Sequence, residues 1–510
     1  QANNVVVAGI NSGPSGRGID HFSDAGLGSC MWGSEPGQAA SVTEATGGSL
    51  TNSVSGTSDT INAILDAVAG GMAQSGSAAA VSFNVSSITE DTRVYQSFFN
   101  AKDWSGDLIA YDLNQENGSI GDKVWSAADR LDRRGTGSRT ILTLGKQRGR
   151  IEGVPLVWGQ LTSEQQNDLR TEPNGALGNV SKGATRLQYL RGSRAHEGKG
   201  FGYRVRGSVL GDIWHSSAVY VGAPQQPWPD SGRGFPTGAN KYSSFAASQQ
   251  NRTPVVYVGA NDGFLHGFSA TRGEELIAYA PGNLFSTRIN AGYHRLTDPN
   301  FNHNSLYVDY IKTGRTEQWR TILAGIQGGG GRGLFALDIT DPDTFRESNA
   351  SDIVLWEFTD QHDAHLGYTF SKPTIVLMNN GRWAAITGNG LNDSATDSTG
   401  GQSQLFIIYL DGGLDGIWSY GTDYIRIPTG VGSIGDRNGL FSPAVIDLDN
   451  NGTADRVYAG DLNGHLWAFD LSSQDQNLWG LAYGSRPLFT GSAGQSITIK
   501  PTVTKHPADA

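Results

Sequence analysis

DLDNNGTADRVYAGDLNGHLWAFD, residues 447–470, sets alternating acidic and amide side chains directly against two strand-like runs, and the rest of the chain reads outward from it. Asp447, Asp449, Asn451 and Asp455 occupy positions 1, 3, 5 and 9 of a loop whose position 6 is Gly452, a residue type that takes positive φ without strain. Side-chain oxygens at alternate positions of such a loop converge on one point, and Thr453 at position 7 adds its backbone carbonyl. The shell is all oxygen with three carboxylates, which suits Ca²⁺ and offers nothing to a soft metal. A helix–loop–helix calcium site would carry a bidentate Glu at position 12. Tyr458 stands there, and the flanks AVI and RVYAG are β-branched and aromatic, so the expectation is a calcium loop in a β-hairpin. The alternative is a turn that binds nothing, because Asp, Asn and Gly dominate turns for backbone reasons alone.

The strand that follows the loop is repeated. NGHLWAFDLS (463–472) has counterparts in SGDLIAYDLN (105–114), DGFLHGFSAT (262–271), RGLFALDIT (332–340) and, less closely, SQLFIIYLDG (403–412). A glycine precedes four of them at 259, 325, 388 and 460, giving intervals of 66, 63 and 72 residues. Strand-only units at such a period define a propeller blade or a β-solenoid. Each unit opens with a strand and a turn: AVIDLDNNGTAD, PTIVLMNNGRW (373–383) and LYVDYIKTGRTEQW (306–319). The calcium loop therefore occupies a hairpin position where sibling units carry ordinary turns. Trp-bearing stretches after the third strand, DIVLWEF (352–358), DGIWSY (415–420) and QNLWG (476–480), are expected to form an outer fourth strand. Four strands per unit favours the all-β propeller, with at least five blades evident. SITIKPTVTKHP near the C-terminus reads as a first strand for RVYQSFF (93–99) and SGDLIAYDL, which would complete one blade from both ends of the chain.

Composition agrees with many strands and turns, Gly being 70 of 510 residues, about twice ordinary usage. A net charge of −11 argues against a broad phosphate-binding surface and hence against nucleic acid as a partner. No run reaches the roughly 18 apolar residues of a membrane span, and the chain begins at Gln1 without a basic and apolar leader, which reads as a mature form or a fragment. Cys30 is the single cysteine, so neither an internal disulfide nor a cysteine zinc site is available. Residues 1–90 are rich in Gly, Ser, Ala and Thr and read as an extension with one short helix, capped by Ser58 and Asp59 and apolar at Ile61, Ile64, Leu65, Val68 and Met72. Residues 91–510 form the propeller domain. The diverged stretch 145–205 has room for further blades, and within it Thr162 and Gln165 make a capping box for a short helix.

Other motifs carry less. GGGGRG (328–333) satisfies G-x-G-x-x-G but lies between two strands, ILAGI and LFALDI, with no helix to receive a pyrophosphate, so it reads as a glycine-rich hairpin. His362 and His365 have helix-face spacing in a strand-and-turn context and read as surface polar residues. There is no HExxH and no GxSxG nucleophile elbow, and the reading is of a protein that is not an enzyme.

VVYVGANDGFLHGFSATRGEELIAYAP, GGGGRGLFALDIT, LGYTFSKPTIV and NGLFSPAVIDLDNNGTADRVYAGDLNGHLWAFDL occur here in one order, preceded by DWSGDLIAYDL, RLQYLRGSR and GSVLGDIWHSSAVYVGAP. In these stretches the chain resembles the C-terminal propeller of the PilC/PilY family of type IV pilus-associated proteins, over about residues 90–510. The resemblance implies a modified seven-bladed ring. It also implies a role at the pilus tip or outer membrane, reached through the periplasm, in pilus biogenesis, twitching motility and adhesion, with pilins and a host-cell receptor as partners. Calcium at a DxDxNxxxD-type loop controls extension against retraction in that family, and by position the ligands here are Asp447, Asp449, Asn451, Thr453 and Asp455. RGSR (191–194) lacks the Asp of an RGD tripeptide. A rival reading is a quinoprotein-like dehydrogenase, whose propeller blades resemble YVGANDGFLHGFSATRGEEL and which uses calcium with pyrroloquinoline quinone. That pocket commonly involves a vicinal cysteine pair, which one cysteine cannot supply.

Overall fold

The computed structural model describes residues 93–100, 102–113, 120–147, 149–214, 216–299, 319–392, 400–492 and 494–504, and the backbone of four further strands, His21–Ser23, Ser29–Met31, Ser77–Phe83 and Asp309–Lys312. The helix expected within residues 58–72 lies outside the described residues. The chain divides into two compact units, one of Gln1–Arg134, Arg206–Val221 and Phe268–Glu275, the other of Gly135–Val205, Gly222–Gly267 and Leu276–Ala510.

The first unit is built on an antiparallel sheet of four strands in chain order: Ser77–Phe83, Arg93–Asn100, Ser105–Leu113 and Ile120–Ser126. Val94, Tyr95, Leu108, Ala110 and Trp125 are buried in it. The carbonyl of Ala270 gathers bonds from the Tyr95 hydroxyl (3.3 Å), the Trp125 indole N–H (3.1 Å) and Arg93 Nη1 (3.2 Å). The place expected for the C-terminal SITIKPTV, beside Arg93–Asn100, is taken by Ser77–Phe83. A partner near in sequence costs far less loop-closure entropy than one some four hundred residues away. Residues 496–504 form no strand. Ser496 Oγ donates to Leu462 O (2.6 Å) and Ile497 N to Asp461 O (3.0 Å), which hold this segment along the last hairpin of the second unit.

In the second unit three sheets follow one another, each four strands long in chain order and antiparallel. The first runs Asp309–Lys312, Ile322–Ile326, Gly333–Asp338, Val354–Thr359. The next runs Thr374–Met378, Trp383–Gly388, Gln402–Tyr409, Tyr424–Gly432. The last runs Ala444–Ile446, Arg456–Gly460, His465–Asp470, Gly480–Leu481, with Phe489–Thr490 also on His465–Asp470. Strands such as Ile322–Ile326 and Trp383–Gly388 are buried along their whole length, so they read as continuous apolar runs rather than alternating ones. Ahead of these sheets, Ala278–Ala280 lies parallel to Ile141–Thr143, and Ile141–Gln147 turns back on Arg150–Pro155. The five repeated segments of the sequence each supply a strand: Ser105–Leu113, Leu265–Ser269, Gly333–Asp338, Gln402–Tyr409 and His465–Asp470.

The outer strands depart from expectation. DIVLWEF contributes Val354–Thr359 as predicted, but DGIWSY is a loop and the fourth strand of its sheet is Tyr424–Gly432. Gly413, Gly416 and Gly421 all have positive φ there, which breaks an extended run. Trp418 instead acts as a wedge: its Nε1 donates to Glu357 O (2.9 Å) and its ring meets Trp356 edge-on at 5.4 Å. Of QNLWG only Gly480 joins the short strand Gly480–Leu481, after a 3-10 turn at Gln476–Leu478. Among the described residues, 145–205 holds one arm of a hairpin and two helices rather than further four-stranded sheets. Ser163–Arg170 begins with the expected Thr162–Gln165 capping box, and Val180–Leu190, which the sequence reading did not foresee, buries Leu187 and Leu190.

Neighbouring sheets are joined by apolar packing and by buried polar ties. Phe235, Tyr242, Trp319, Trp356, Leu377, Trp383 and Phe406 belong to one core cluster spanning two sheets. Glu357 accepts the Tyr279 hydroxyl (2.5 Å), Gly282 N (2.5 Å) and Asn283 N (3.1 Å), and burial pushes its carboxyl above the ordinary range against those bonds.

Candidate metal centre

The loop leaves Ala444–Ile446, whose partner is Arg456–Gly460, so it lies in a hairpin with strands on both sides, as its flanks predict. Two left-handed residues fold it back, Asn450 (φ 60°) and Gly452 (φ 89°). Gly452 answers the sequence argument. Asn450, at position 4, was not singled out, although asparagine tolerates this conformation better than most residues.

Folding back brings Asp447, Asp449 and Asp455 together, with one carboxylate oxygen from each within 4.8 Å of the others. Two oxygens sharing one Ca²⁺ at ligand distances of about 2.3–2.6 Å stand at most about 5 Å apart, so this set meets the geometric limit. Among the described residues none of the three carboxylates has an ion-pair partner, and no other group of three such side chains is as close. Gly452 N donates to Asp447 Oδ2 (2.7 Å), and Asn451 N to Asp447 Oδ1 (3.1 Å) and Asp449 Oδ1 (3.2 Å). Asp449 is exposed, Asp447 half-buried and Asp455 buried. The donor set is hard and anionic, as a calcium site requires.

Asn451 and Thr453 are brought to the same loop in a different attitude. Asn451 Nδ2 donates to Asp449 Oδ2 (2.9 Å), while its Oδ1 accepts from Thr453 N (2.8 Å) and Thr453 Oγ1 (2.5 Å). The Thr453 hydroxyl also reaches Asn379 Oδ1 (3.0 Å).

Asn379 is the residue that sequence reasoning missed. It follows Thr374–Met378 on the turn of the preceding sheet, and its Nδ2 lies 2.9 Å from Asp455 Oδ1, 3.0 Å from Ala454 O and 3.1 Å from Leu471 O. Asp455 Oδ2 accepts from Leu448 N (2.8 Å), so this buried carboxylate is held once from within its own loop and once from the neighbouring sheet. The two sheets also pair directly, Leu377 with Thr453 and Met378 with Ala454, in parallel register. NNG at 379–381 reads locally only as a turn, and nothing in it signals a loop nearly seventy residues on.

The remaining candidates fall away from this centre. GGGGRG forms the connection between Ile322–Ile326 and Gly333–Asp338, with Gly330 N donating to Gln327 O (2.8 Å) and no helix at its end. His362 is exposed, as the sequence reading expects, but His365 is not a surface residue. His365 is buried with Nδ1 2.7 Å from Asp363 Oδ1, because the end of the turn after Val354–Thr359 folds inward, while the exposed His362 accepts Thr359 N at Nδ1 (3.0 Å).

Comparison with known proteins places this architecture. The description of the PilY1 beta-propeller domain matches residues 210–509, and the chain belongs to that family. It is 35% identical over 449 residues to the type IV pilus biogenesis factor PilY1 of Pseudomonas aeruginosa strain PAK, covering 81% of this chain and 35% of that protein. It is 36% identical over 449 residues to a PilY1 homolog of Xylella fastidiosa strain Temecula1, covering 80% of this chain and 29% of the homolog. The chain thus spans about a third of the length of these relatives. A crystal structure of the Pseudomonas aeruginosa PilY1 C-terminal domain matches with 33% identity and a TM-score of 0.41 over 52% of this chain and 53% of that one. The all-β sheets described above are those of a β-propeller protein.

Proposed function

We propose that this chain is the calcium-binding propeller of a type IV pilus biogenesis factor, in which Ca²⁺ at Asp447, Asp449, Asn451, Thr453 and Asp455 sets the balance of pilus extension and retraction. Twitching motility and surface adhesion follow from that balance. The observation that carries the reading is that three carboxylates, none with an ion-pair partner among the described residues, each bring an oxygen within 4.8 Å of the others, inside a domain whose named relatives are pilus biogenesis factors. Those names support a role in pilus biogenesis that is not enzymatic; a place at the cell surface on the pilus, with pilins and a host-cell receptor as partners, belongs to this proposal.

The cation supplies positive charge that offsets the mutual repulsion of the carboxylates. The chain supplies the rest. Gly452 and Asn450 hold the loop folded back, Gly452 N and Asn451 N orient Asp447 and Asp449, and Leu448 N orients Asp455. A metal-dependent bias between two arrangements of the loop would then change the surface offered to partners.

The test is calorimetric titration of calcium into the chain and into Asp449→Ala, with surface pili and twitching scored in cells carrying the full-length protein with the same change. Loss of calcium binding together with loss of calcium-dependent piliation is expected. Equal calcium binding by both proteins would overturn the assignment of the loop.

A further inference from the structure

The loop does not stand alone on its own hairpin. Its last residues, Thr453–Ala454, form a two-residue strand that pairs in parallel with Leu377 and Met378 of the preceding sheet. Two residues of parallel pairing are a weak tie, and parallel pairing is the less stable kind per residue. Something else must fix the register between the sheets at this point.

Asn379 meets that need. Its carboxamide faces positions 7 and 9 of the loop at once: Oδ1 lies 3.0 Å from the Thr453 hydroxyl, which it shares with Asn451 Oδ1, and Nδ2 lies 2.9 Å from Asp455 Oδ1 and 3.0 Å from Ala454 O. The same Nδ2 is 3.1 Å from Leu471 O, where the strand His465–Asp470 ends. Asn379 is only 8% exposed, so these bonds face little competition from water. Its neighbour Asn380 has another task, its Nδ2 donating to the Tyr409 hydroxyl (2.8 Å) and lying 3.2 Å from Gln476 Oε1.

We propose that Asn379 is the positioning residue of the calcium loop, and that through it the occupancy of the loop is transmitted to the hairpin Thr374–Gly388 of the preceding sheet, which supplies no ligand. The inference rests on the calcium reading above. Asp455 has one oxygen fixed by Leu448 N and the other by Asn379 Nδ2, so a cation drawing on that carboxylate acts on the Asn379 bond directly. An empty loop with three mutually repelling carboxylates pulls on the same bond in the opposite sense. The segment that reports the metal therefore lies about sixty residues away in sequence from the nearest proposed ligand.

The experiment is hydrogen exchange by mass spectrometry on the chain with and without calcium, following peptides that cover residues 374–382, combined with calcium calorimetry on Asn379→Ala and on Asn380→Ala as a matched neighbour. In the parent protein calcium is expected to slow exchange in 374–382. Asn379→Ala should weaken calcium roughly tenfold, as expected for losing a charge-assisted bond that orients a ligand. It should also abolish the protection of 374–382, while Asn380→Ala keeps both. A role confined to general folding would lower the melting temperature of Asn379→Ala equally with and without calcium, and that result overturns the proposal. So does calcium binding by the parent protein with unchanged exchange in 374–382, a measurement that needs no variant. No calcium binding by the parent protein at all would sink the calcium reading itself, which distinguishes the two failures.

Discussion

The ring of Phe235 stands directly over Gly452, so close that a Cβ placed on this glycine would lie 2.7 Å from Phe235 Cζ. The glycine at loop position 6 is therefore constrained twice, by a φ of 89° and by an aromatic lid that comes from outside its sheet. Phe235 is itself 5% exposed and belongs to the cluster with Trp319 and Trp383. The acidic loop is thus seated against that core cluster of the second unit.

Gly452→Ala should destabilise the second unit by about 2 kcal/mol, the usual size of a positive-φ penalty with a steric contact added. Calcium affinity should fall with it. Thermal melts with and without calcium check this, and an unchanged melt would show that the loop relaxes freely beneath Phe235.

Asp449 and Asp455 should separate binding from stability. Asp449 is exposed and bonded only to Asn451 among the described residues, so Asp449→Ala should leave the calcium-free melt within about 0.5 kcal/mol of the parent. Asp455 is buried and accepts from Leu448 N and Asn379 Nδ2, so Asp455→Ala should cost about 1–3 kcal/mol even without calcium. Denaturant unfolding in chelator reads both.

Chelation should lower the stability of the parent by about 2.7 kcal/mol relative to calcium at a hundredfold its Kd, because a ligand that binds only the folded state stabilises it by mass action. Asp449→Ala should show no such difference. Differential scanning calorimetry in calcium and in chelator measures it.

Asp107 should give the first unit a pH dependence in the acid range. Burial pushes its carboxyl up to about 6, despite bonds from the Ser126 hydroxyl (2.6 Å) and Ala128 N (2.9 Å). The folded value lies above the unfolded one of about 3.9, so the stability it contributes is present below about pH 4 and is lost as pH rises through 6. The loss is on the order of 2–3 kcal/mol and should vanish in Asp107→Asn. Carbon NMR titration of the carboxyl reads the value itself.

Tyr279→Phe should destabilise the second unit by about 1–3 kcal/mol, because Glu357 is buried and loses one of its three donors. Replacement of the exposed Tyr420 by Phe should change little. Urea unfolding of the two variants side by side provides the comparison.

Local chemistry made much of this legible in the sequence. The spacing of Asp447, Asp449 and Asp455 around Gly452 is short-range information, and the three carboxylates do converge. The capping box at Thr162 and Gln165 formed for the same reason, since both partners lie within one helical turn. Repeated runs such as RGLFALDIT and NGHLWAFDLS became sheet strands because their apolar continuity suits burial on both faces.

What lay beyond reach was which distant segments meet. Trp418 marked a boundary correctly, yet it became a wedge while Tyr424–Gly432 took the outer place, because the intervening glycines left the strand register to packing. The position beside Arg93–Asn100 went to Ser77–Phe83 because loop-closure entropy favours the nearer partner. The sequence by itself determined the acidic loop and the blade strands, through spacing and periodicity within a few residues. Only the tertiary structure decided that Asn379 and Phe235 hold that loop, because their contacts depend on how separate segments pack, and no local pattern encodes a hydrogen bond or ring contact across such distances in the chain.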